Sequence, residues 1–214
     1  MSESIRAEKA NLRHKICTVL GKLSDNDINQ WSLQIASYVF ALEEFLLSRT
    51  VMAFVSLPGE VDTWPILKQA WAEGKRVVVP RIKQTTRRWD ASRVHEYGMP
   101  AIELEPSDAD SPQKHPQLAL SGLNIYEPKA GAVVKPSKID LVLAPGLAFD
   151  RHGWRLGKGG GFYDRLLSSD GFRARVFGLA FSAQIVENVP HGPADKSIEG
   201  VVTEAGVLLT NQEG

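Results

Sequence analysis

The sequence predicts an α/β fold: a three-layer α/β/α, Rossmann-like single domain with a mainly parallel sheet. Three observations predict it. Apolar, β-branched runs at Val51–Leu57, Arg76–Pro80, Ile139–Ala144 and Ala174–Ala180 alternate with stretches of helical periodicity. A strand, a helix and a second strand fit between Val51 and Pro80, the span of a right-handed βαβ unit. From Ile139 to Leu167 the chain reads as strand, loop, glycine-rich turn and helix start.

Composition bounds the rest. The 214 residues suffice for one α/β domain with a full core, and 43% hydrophobic with 23% charged residues is ordinary for a globular chain. The 25 basic residues balance the 25 acidic ones, so no field favours nucleic acid or an anionic membrane. The sequence holds no apolar run of membrane-spanning length, and MSESIRAEKANLRHK lacks the apolar core of a secretory signal. One cysteine, Cys17, excludes an internal disulfide and fits a cytoplasmic location. Nothing calls for an obligate protein partner.

In chain order, residues 4–23 form an amphipathic helix with Ile5, Leu12, Ile16, Val19, Leu20 and Leu23 in one stripe. Lys9 sits near that stripe and Arg13 at its edge. Spacing alone favours snorkelling, with stems on the core and heads in water. Ser24 and Asp27 form a capping arrangement for a second helix running to about Leu47. Val51–Leu57 is a strand, Pro58-Gly59 a turn, and Thr63 caps a helix with Pro65 in its first turn. Glu60 and Asp62 fall where the first strand gives way to that helix, a place where ligands collect in parallel sheets. Asp62 reads as a helix cap. Glu60 reads either as a solvated turn residue or as an acceptor for an amino-substituted ring.

Residues 82–120 form an irregular excursion or flap, with short strands at Arg93–Glu96 and Ala101–Leu104. His95 and His115 lack metal-ligand spacing and read as surface residues. Ser182 caps a short helix through Glu187, and Val201-Val202 and Val207–Leu209 form closing strands.

The glycine run fits neither familiar phosphate motif. Lys158 is followed by Gly159, so the hydroxyl of a P-loop is missing. The dinucleotide pattern needs glycine at 162, where Phe162 stands, and residues 145–156 separate the strand from the glycines. Arg155, Lys158 and the backbone N–H groups can surround a polyphosphate. Asp164 can hold a magnesium ion, and Phe162 and Tyr163 can stack on a flat ring. The bland alternative is a glycine-rich turn with Asp164 favouring a helix N-terminus.

The stretch PGLAFDRHGWRLGKGGGFYDR resembles the signature of the 5-formyltetrahydrofolate cyclo-ligase family. KANLR (Lys9 to Arg13), LPGEVDT (Leu57 to Thr63), VVVPR (Val77 to Arg81) and the tail around Asp195 extend the resemblance, whereas residues 82–120 match poorly. It implies one cyclo-ligase domain over residues 1–214. It also implies cyclisation of 5-formyltetrahydrofolate to 5,10-methenyltetrahydrofolate with hydrolysis of ATP, a co-substrate, to ADP and phosphate. The formyl oxygen would be phosphorylated and N10 would attack the activated carbon. By the same resemblance, Lys9, Arg13, Arg155, Leu156, Gly157, Lys158, Gly159, Gly160, Gly161, Phe162 and Tyr163 would contact ATP, with Lys158 and Arg155 catalytic. Leu57, Glu60, Lys158, Gly161, Phe162 and Tyr163 would contact the folate, and Asp164 and Asp195 would serve Mg²⁺. Three positions depart from the pattern: Gly160, where some members carry lysine; Phe162, where tyrosine is frequent; and Leu123, where some have an aromatic ring. The mechanism needs no nucleophilic side chain, so Cys17 is expected to be a packing residue. Two other functions fit the same fold: a folate-binding protein without chemistry, and a sugar-phosphate isomerase using Glu60 as base.

Overall fold

The computed structural model describes residues 3–81, 99–121 and 125–210. The expectations for Arg93–Glu96, His95 and Leu123 lie outside the described residues. The helices are α1 (Glu3–Leu20), α2 (Asp25–Ala41), α3 (Glu43–Leu47), α4 (Trp64–Ala72) and α5 (Phe162–Leu167). The strands are β1 (Thr50–Met52), β2 (Arg76–Pro80), β3 (Ala101–Leu104), β4 (Leu118–Leu120), β5 (Tyr126–Pro128), β6 (Val133–Val134), β7 (Leu141–Ala144), β8 (Ala148–Phe149), β9 (Arg155–Leu156), β10 (Arg175–Leu179), β11 (Gly200–Thr203) and β12 (Gly206–Leu209).

Eight of these strands form one sheet in the order β12-β11-β10-β7-β1-β2-β3-β6. The pairs β11–β10, β10–β7, β7–β1 and β1–β2 are parallel, while β12, β3 and β6 join antiparallel at the edges. From β1 the chain crosses to β2 on one side; from β7 it crosses to β10 on the other. The order therefore reverses between β1 and β7, the place where an open α/β sheet leaves a crevice beyond its strand ends.

Strand alternation sends side chains to two cores. Val51, Val77, Val79, Leu141, Leu143, Phe177 and Leu179 pack with Ile35 and Val39 of α2, Phe45 of α3, and Ile66 and Leu67 of α4. The alternate residues Met52, Val78, Val142, Ala144, Val176 and Val201 pack with Tyr163 and Leu166 of α5. A third cluster of Ile16, Leu147, Ala148, Leu156 and Val189 fastens α1 to the β8–β9 hairpin. Each such aliphatic side chain contributes about 1.5–3 kcal/mol on burial. Packing at these positions is what holds α1 beside the glycine run.

Several expectations hold in detail. Ser24 caps α2 through a capping box with Asp27. Asp62 Oδ1 accepts the Trp64 N–H, while Thr63, the residue before α4, instead donates its hydroxyl to the Phe54 carbonyl. The closing strands form as β11 and β12.

Others are corrected. The second helix breaks at Leu42, whose backbone is extended (φ −65°, ψ 131°) and whose side chain is buried. The ladder of β1 ends at Met52 because the following residues turn toward the crevice; Ala53 N–H still reaches the Val78 carbonyl. The helix expected from Ser182 to Glu187 is a single 3-10 turn, Ser182–Gln184, with Phe181 rather than Ser182 at its cap. His115 is buried, stacked on Trp71 and hydrogen-bonded to the Glu105 carbonyl, because the 105–117 segment folds back over α4. Cys17 is exposed, because it lies on the solvent side of α1 beside buried Ile16.

Candidate active site

The strand ends at the reversal point open into a cleft of about 900 Å³. All of Lys9, Arg13, Leu57, Glu60, Asp195 and the segment from Arg155 to Asp164 line it, although they come from four separate parts of the chain. The structure therefore brings together every site residue inferred from the sequence. It adds walls that the sequence did not announce: Phe54 and Val55 beyond β1, Pro145 and Gly146 beyond β7, Met99 from the region of poor family match, and Tyr126 of β5.

The glycine run leaves β9 at Gly157 and enters α5 at Phe162. Gly159 (φ +107°) and Gly161 (φ +61°) take backbone conformations that side chains disfavour, so the turn requires glycine at both. Gly160 is close-packed rather than strained: a Cβ there would stand 2.5 Å from the Phe162 ring and push it aside. Two of the departures from the family pattern, Gly160 and Phe162, thus form one packing unit.

Lys9 and Arg13 converge on this run from α1. Lys9 is 6% exposed, and its ammonium donates at 2.7 Å to both carboxylate oxygens of Asp195. Arg13 Nε donates to the Gly157 carbonyl at 3.0 Å. The snorkelling expectation is thereby overturned: α1 turns both cations inward because Ile16, one turn on, anchors it to the hairpin.

The floor is built by Arg155 and Tyr163. Arg155 Nη2 donates to Asp164 Oδ1 at 3.1 Å, and its guanidinium lies 5.4 Å from the Tyr163 ring centre. Arg155 Nε and the Tyr163 hydroxyl are buried with no hydrogen-bond partner. Burial pushes the Tyr163 hydroxyl well above its ordinary pKa; Arg155 opposes the shift and Glu60 adds to it. The phenol is consequently neutral, with its oxygen buried beneath the wall of the cleft that the residue lines.

At the mouth, Lys158 Nζ donates to Glu60 Oε1 at 2.7 Å, and the Leu57 N–H donates to Glu60 Oε2 at 3.0 Å. Asp164 also accepts from the Lys196 N–H, so Asp164 and the Asp195 turn are neighbours. For Asp195, burial is the largest single influence and pushes its carboxyl up. Lys9, the Gly192 N–H and His191 together outweigh it and leave the carboxyl below its ordinary range. Among the described residues no cluster of three or more His, Cys, Asp or Glu forms a metal cage.

Sequence reasoning missed Asp150, which is fully buried and accepts the N–H groups of His152, Trp154 and Val189. Its signal was a carboxylate directly after the apolar run Leu147–Phe149. The Trp154–His191 stack, with ring centres 3.7 Å apart, had no local signal because the partners are 37 residues apart.

Fold and cleft define a class: an α/β protein with an apolar crevice at its reversal point, ringed by cations and a glycine turn. The chain belongs to the 5-formyltetrahydrofolate cyclo-ligase family, whose model matches residues 5–204. The 5-formyltetrahydrofolate cyclo-ligase of Escherichia coli K12 is 33% identical over 182 residues, covering 81% of this chain and 88% of that protein. The mouse protein of the same name is 27% identical over 94% of this chain and 96% of its own length. The NMR structure of Aquifex aeolicus 5,10-methenyltetrahydrofolate synthetase superposes with a TM-score of 0.75 at 28% identity, covering 95% of this chain and 93% of that one. Membership makes the chain a ligase, of a family that converts 5-formyltetrahydrofolate to 5,10-methenyltetrahydrofolate.

Proposed function

We infer that this chain closes 5-formyltetrahydrofolate to 5,10-methenyltetrahydrofolate with hydrolysis of ATP to ADP and phosphate. The observation that carries the reading is the convergence of Lys9, Arg13, Arg155 and Lys158 on one cleft that also holds Glu60. A formamide resists attack because its nitrogen lone pair delocalises into the carbonyl. Transfer of the γ-phosphoryl group to the formyl oxygen forms an O–P bond as the β–γ bridge breaks and ADP leaves. N10 then attacks the activated carbon, the ring closes, and phosphate departs with the former formyl oxygen. Phosphoryl transfer depends on positioning and charge neutralisation, which suits a site of cations and backbone N–H groups.

In this reading Lys9 and Arg13 hold the phosphates from α1, and the run from Arg155 through Leu156, Gly157, Lys158, Gly159, Gly160 and Gly161 wraps them. Lys158 and Arg155 neutralise the transferring group. Glu60 holds the pterin edge beside Leu57, and Phe162 and Tyr163 face the ring. Asp164 and Asp195, neighbours in the cleft wall, would hold Mg²⁺ together with phosphate oxygens and water once Asp195 exchanged part of its contact with Lys9 for the ion, which would supply charge neutralisation there. Residues 1–214 act as one cyclo-ligase domain, in which α2–α4 and α5 make the outer layers of a Rossmann-like sandwich, working in the cytoplasm without nucleic acid, membrane or obligate partner. The isomerase alternative draws no support from the family to which the chain belongs.

The test follows methenyltetrahydrofolate absorbance from 5-formyltetrahydrofolate with and without MgATP, alongside ADP release. Product that appears only with ATP supports the reading. Folate binding without ADP release from folded protein replaces it with a non-catalytic folate-binding role.

A further inference from the structure

The β8–β9 hairpin does more than carry Arg155. Its turn grips the loop that carries Asp195. Asp150 Oδ1 accepts the N–H groups of His152 and Trp154, which closes the turn, and Asp150 Oδ2 accepts the Val189 N–H at 2.8 Å. Two residues beyond Val189, the His191 ring lies parallel to Trp154, with centres 3.7 Å apart and planes 8° apart. His191 Nδ1 is also 3.0 Å from the Val189 carbonyl, which fixes the ring's azimuth. Immediately afterwards the chain makes a closed turn: the Asp195 N–H donates to the Gly192 carbonyl, and the Gly192 N–H donates to Asp195 Oδ2 at 2.7 Å. Asp195 then holds Lys9.

These contacts form one mechanical line from the hairpin to a cation in the cleft. The stacked pair stands outside the cleft: neither Trp154 nor His191 lines the cavity, which the chain reaches only with the turn from Gly192 to Asp195. An exposed histidine held flat against a half-buried tryptophan is more order than an ordinary surface loop carries. We propose that Trp154 and His191 are a positioning pair, whose stack locks the 189–195 loop so that Asp195 fixes the Lys9 ammonium at the anion end of the cleft. This deepens the ATP reading above and rests on it for its kinetic consequence, though not for its geometry.

The geometry predicts a graded pattern. Loss of either ring frees the loop, Asp195 loses its fixed azimuth, and the buried Lys9 amine becomes reachable. A ring at 154 that preserves the stack preserves the lock, so Trp154→Phe behaves as wild type. Because the pair acts on a ground-state cation position, its loss raises KM for ATP while KM for the folate and kcat hold.

The experiment is reductive methylation of the folded full-length protein without nucleotide, with each lysine followed by mass spectrometry. In the wild type Lys9 is expected to label far more slowly than exposed Lys22. In Trp154→Ala and His191→Ala its rate is expected to rise roughly 3- to 10-fold, the factor that one aromatic pair contributes, with other lysines unchanged. Steady-state kinetics on the same variants should show KM for ATP rising by a similar factor. Should Trp154→Ala unfold, His191→Ala decides, because His191 is exposed and its removal leaves no cavity. An unchanged Lys9 rate in the folded alanine variants overturns the proposal. So does an equal fall of kcat with both substrates, or a general rise in labelling of all lysines. Failure of the wild type to consume ATP would overturn the functional reading instead, and the labelling result would stand apart from it.

Discussion

Lys158 and Glu60, 98 residues apart, meet in a 2.7 Å ion pair across the mouth of the cleft. One partner belongs to the glycine run and the other to the turn beyond β1. The Lys158 side chain is 55% exposed, so the pair adds only about 0–1 kcal/mol to stability. Lys158→Ala is therefore expected to melt close to the wild type yet lose about 10²- to 10³-fold in kcat, the cost of removing one charge stabiliser from a transferring group. Glu60→Gln is expected to raise KM for the folate roughly 10- to 100-fold, with KM for ATP little changed. Thermal denaturation and steady-state kinetics check both. Near-normal turnover of Lys158→Ala would remove that residue from the chemistry.

Tyr163 separates stability from activity. Its hydroxyl is buried without a partner, an arrangement that costs about 1–3 kcal/mol in a folded protein. Tyr163→Phe removes that cost and keeps the ring on Leu166 and its neighbours, so the variant is expected to be at least as stable as the wild type, by up to about 1 kcal/mol. The ring keeps its place in the cleft wall, so kcat/KM is expected to stay within a few-fold of the wild type. The pH dependence follows from the sign of the shift. The folded-state pKa lies above the unfolded value, so the neutral phenol's contribution is complete below about pH 10 and is lost as the pH rises further. Urea titrations at neutral and alkaline pH should show Tyr163→Phe gaining on the wild type above that point. A variant that loses stability at neutral pH would mean that the hydroxyl is satisfied in solution.

The elements most legible in the sequence were those whose signal is local. Ser24 and Asp27 cap α2 as their spacing implies, and Ile139–Ala144 contains β7 because its apolar stretch Leu141–Ala144 offers no solvent face for polar groups. The site was legible where the glycine signature is contiguous. Distance in sequence hid the rest. Lys9 looked like a snorkelling lysine because its partner, Asp195, stands 186 residues away. His115 looked exposed because its burial depends on Trp64 and Trp71 from another element. The break at Leu42 has no glycine or proline to announce it; the buried side chains of Leu42 and Phe45 instead accompany the change in helix direction.

Asp195 makes the Lys9 pair dependent on acid. Its side chain is 17% exposed and that of Lys9 is 7% exposed, so breaking the pair leaves a mostly buried ammonium. Asp195→Asn is expected to cost about 2 kcal/mol at neutral pH, less than a fully buried pair would lose. A carboxyl whose folded pKa is depressed contributes stability that is present above its unfolded value, near pH 4, and is lost as the pH falls through the folded value. The gap between wild type and variant should hold from pH 7 down to about pH 4 and close below it. Denaturant titrations of both proteins across that range measure it. A gap that widens in acid would mean that Asp195 is not the anionic partner of Lys9.

Gly160 and Phe162 offer the sharpest test of the glycine run itself. A Cβ at residue 160 would lie 2.5 Å from one ring carbon of Phe162 and 2.7 Å from the next, too close for the ring to stay where it is. The ring also lies 5.0 Å beneath the Arg165 guanidinium, so moving it disturbs a second contact. Gly160 itself is exposed, and its φ lies outside the left-handed region, so alanine brings crowding without backbone strain. Gly160→Ala is therefore expected to raise KM for the folate about 3- to 10-fold through the displaced ring. In the Phe162→Ala background there is no ring to displace, and adding Gly160→Ala should cost almost nothing further. The double-mutant cycle should show a coupling of about 1 kcal/mol, measured as the shortfall from additivity in folate KM. Strictly additive effects would mean that the two residues act independently, and that the ring does not rest on the glycine when substrate binds.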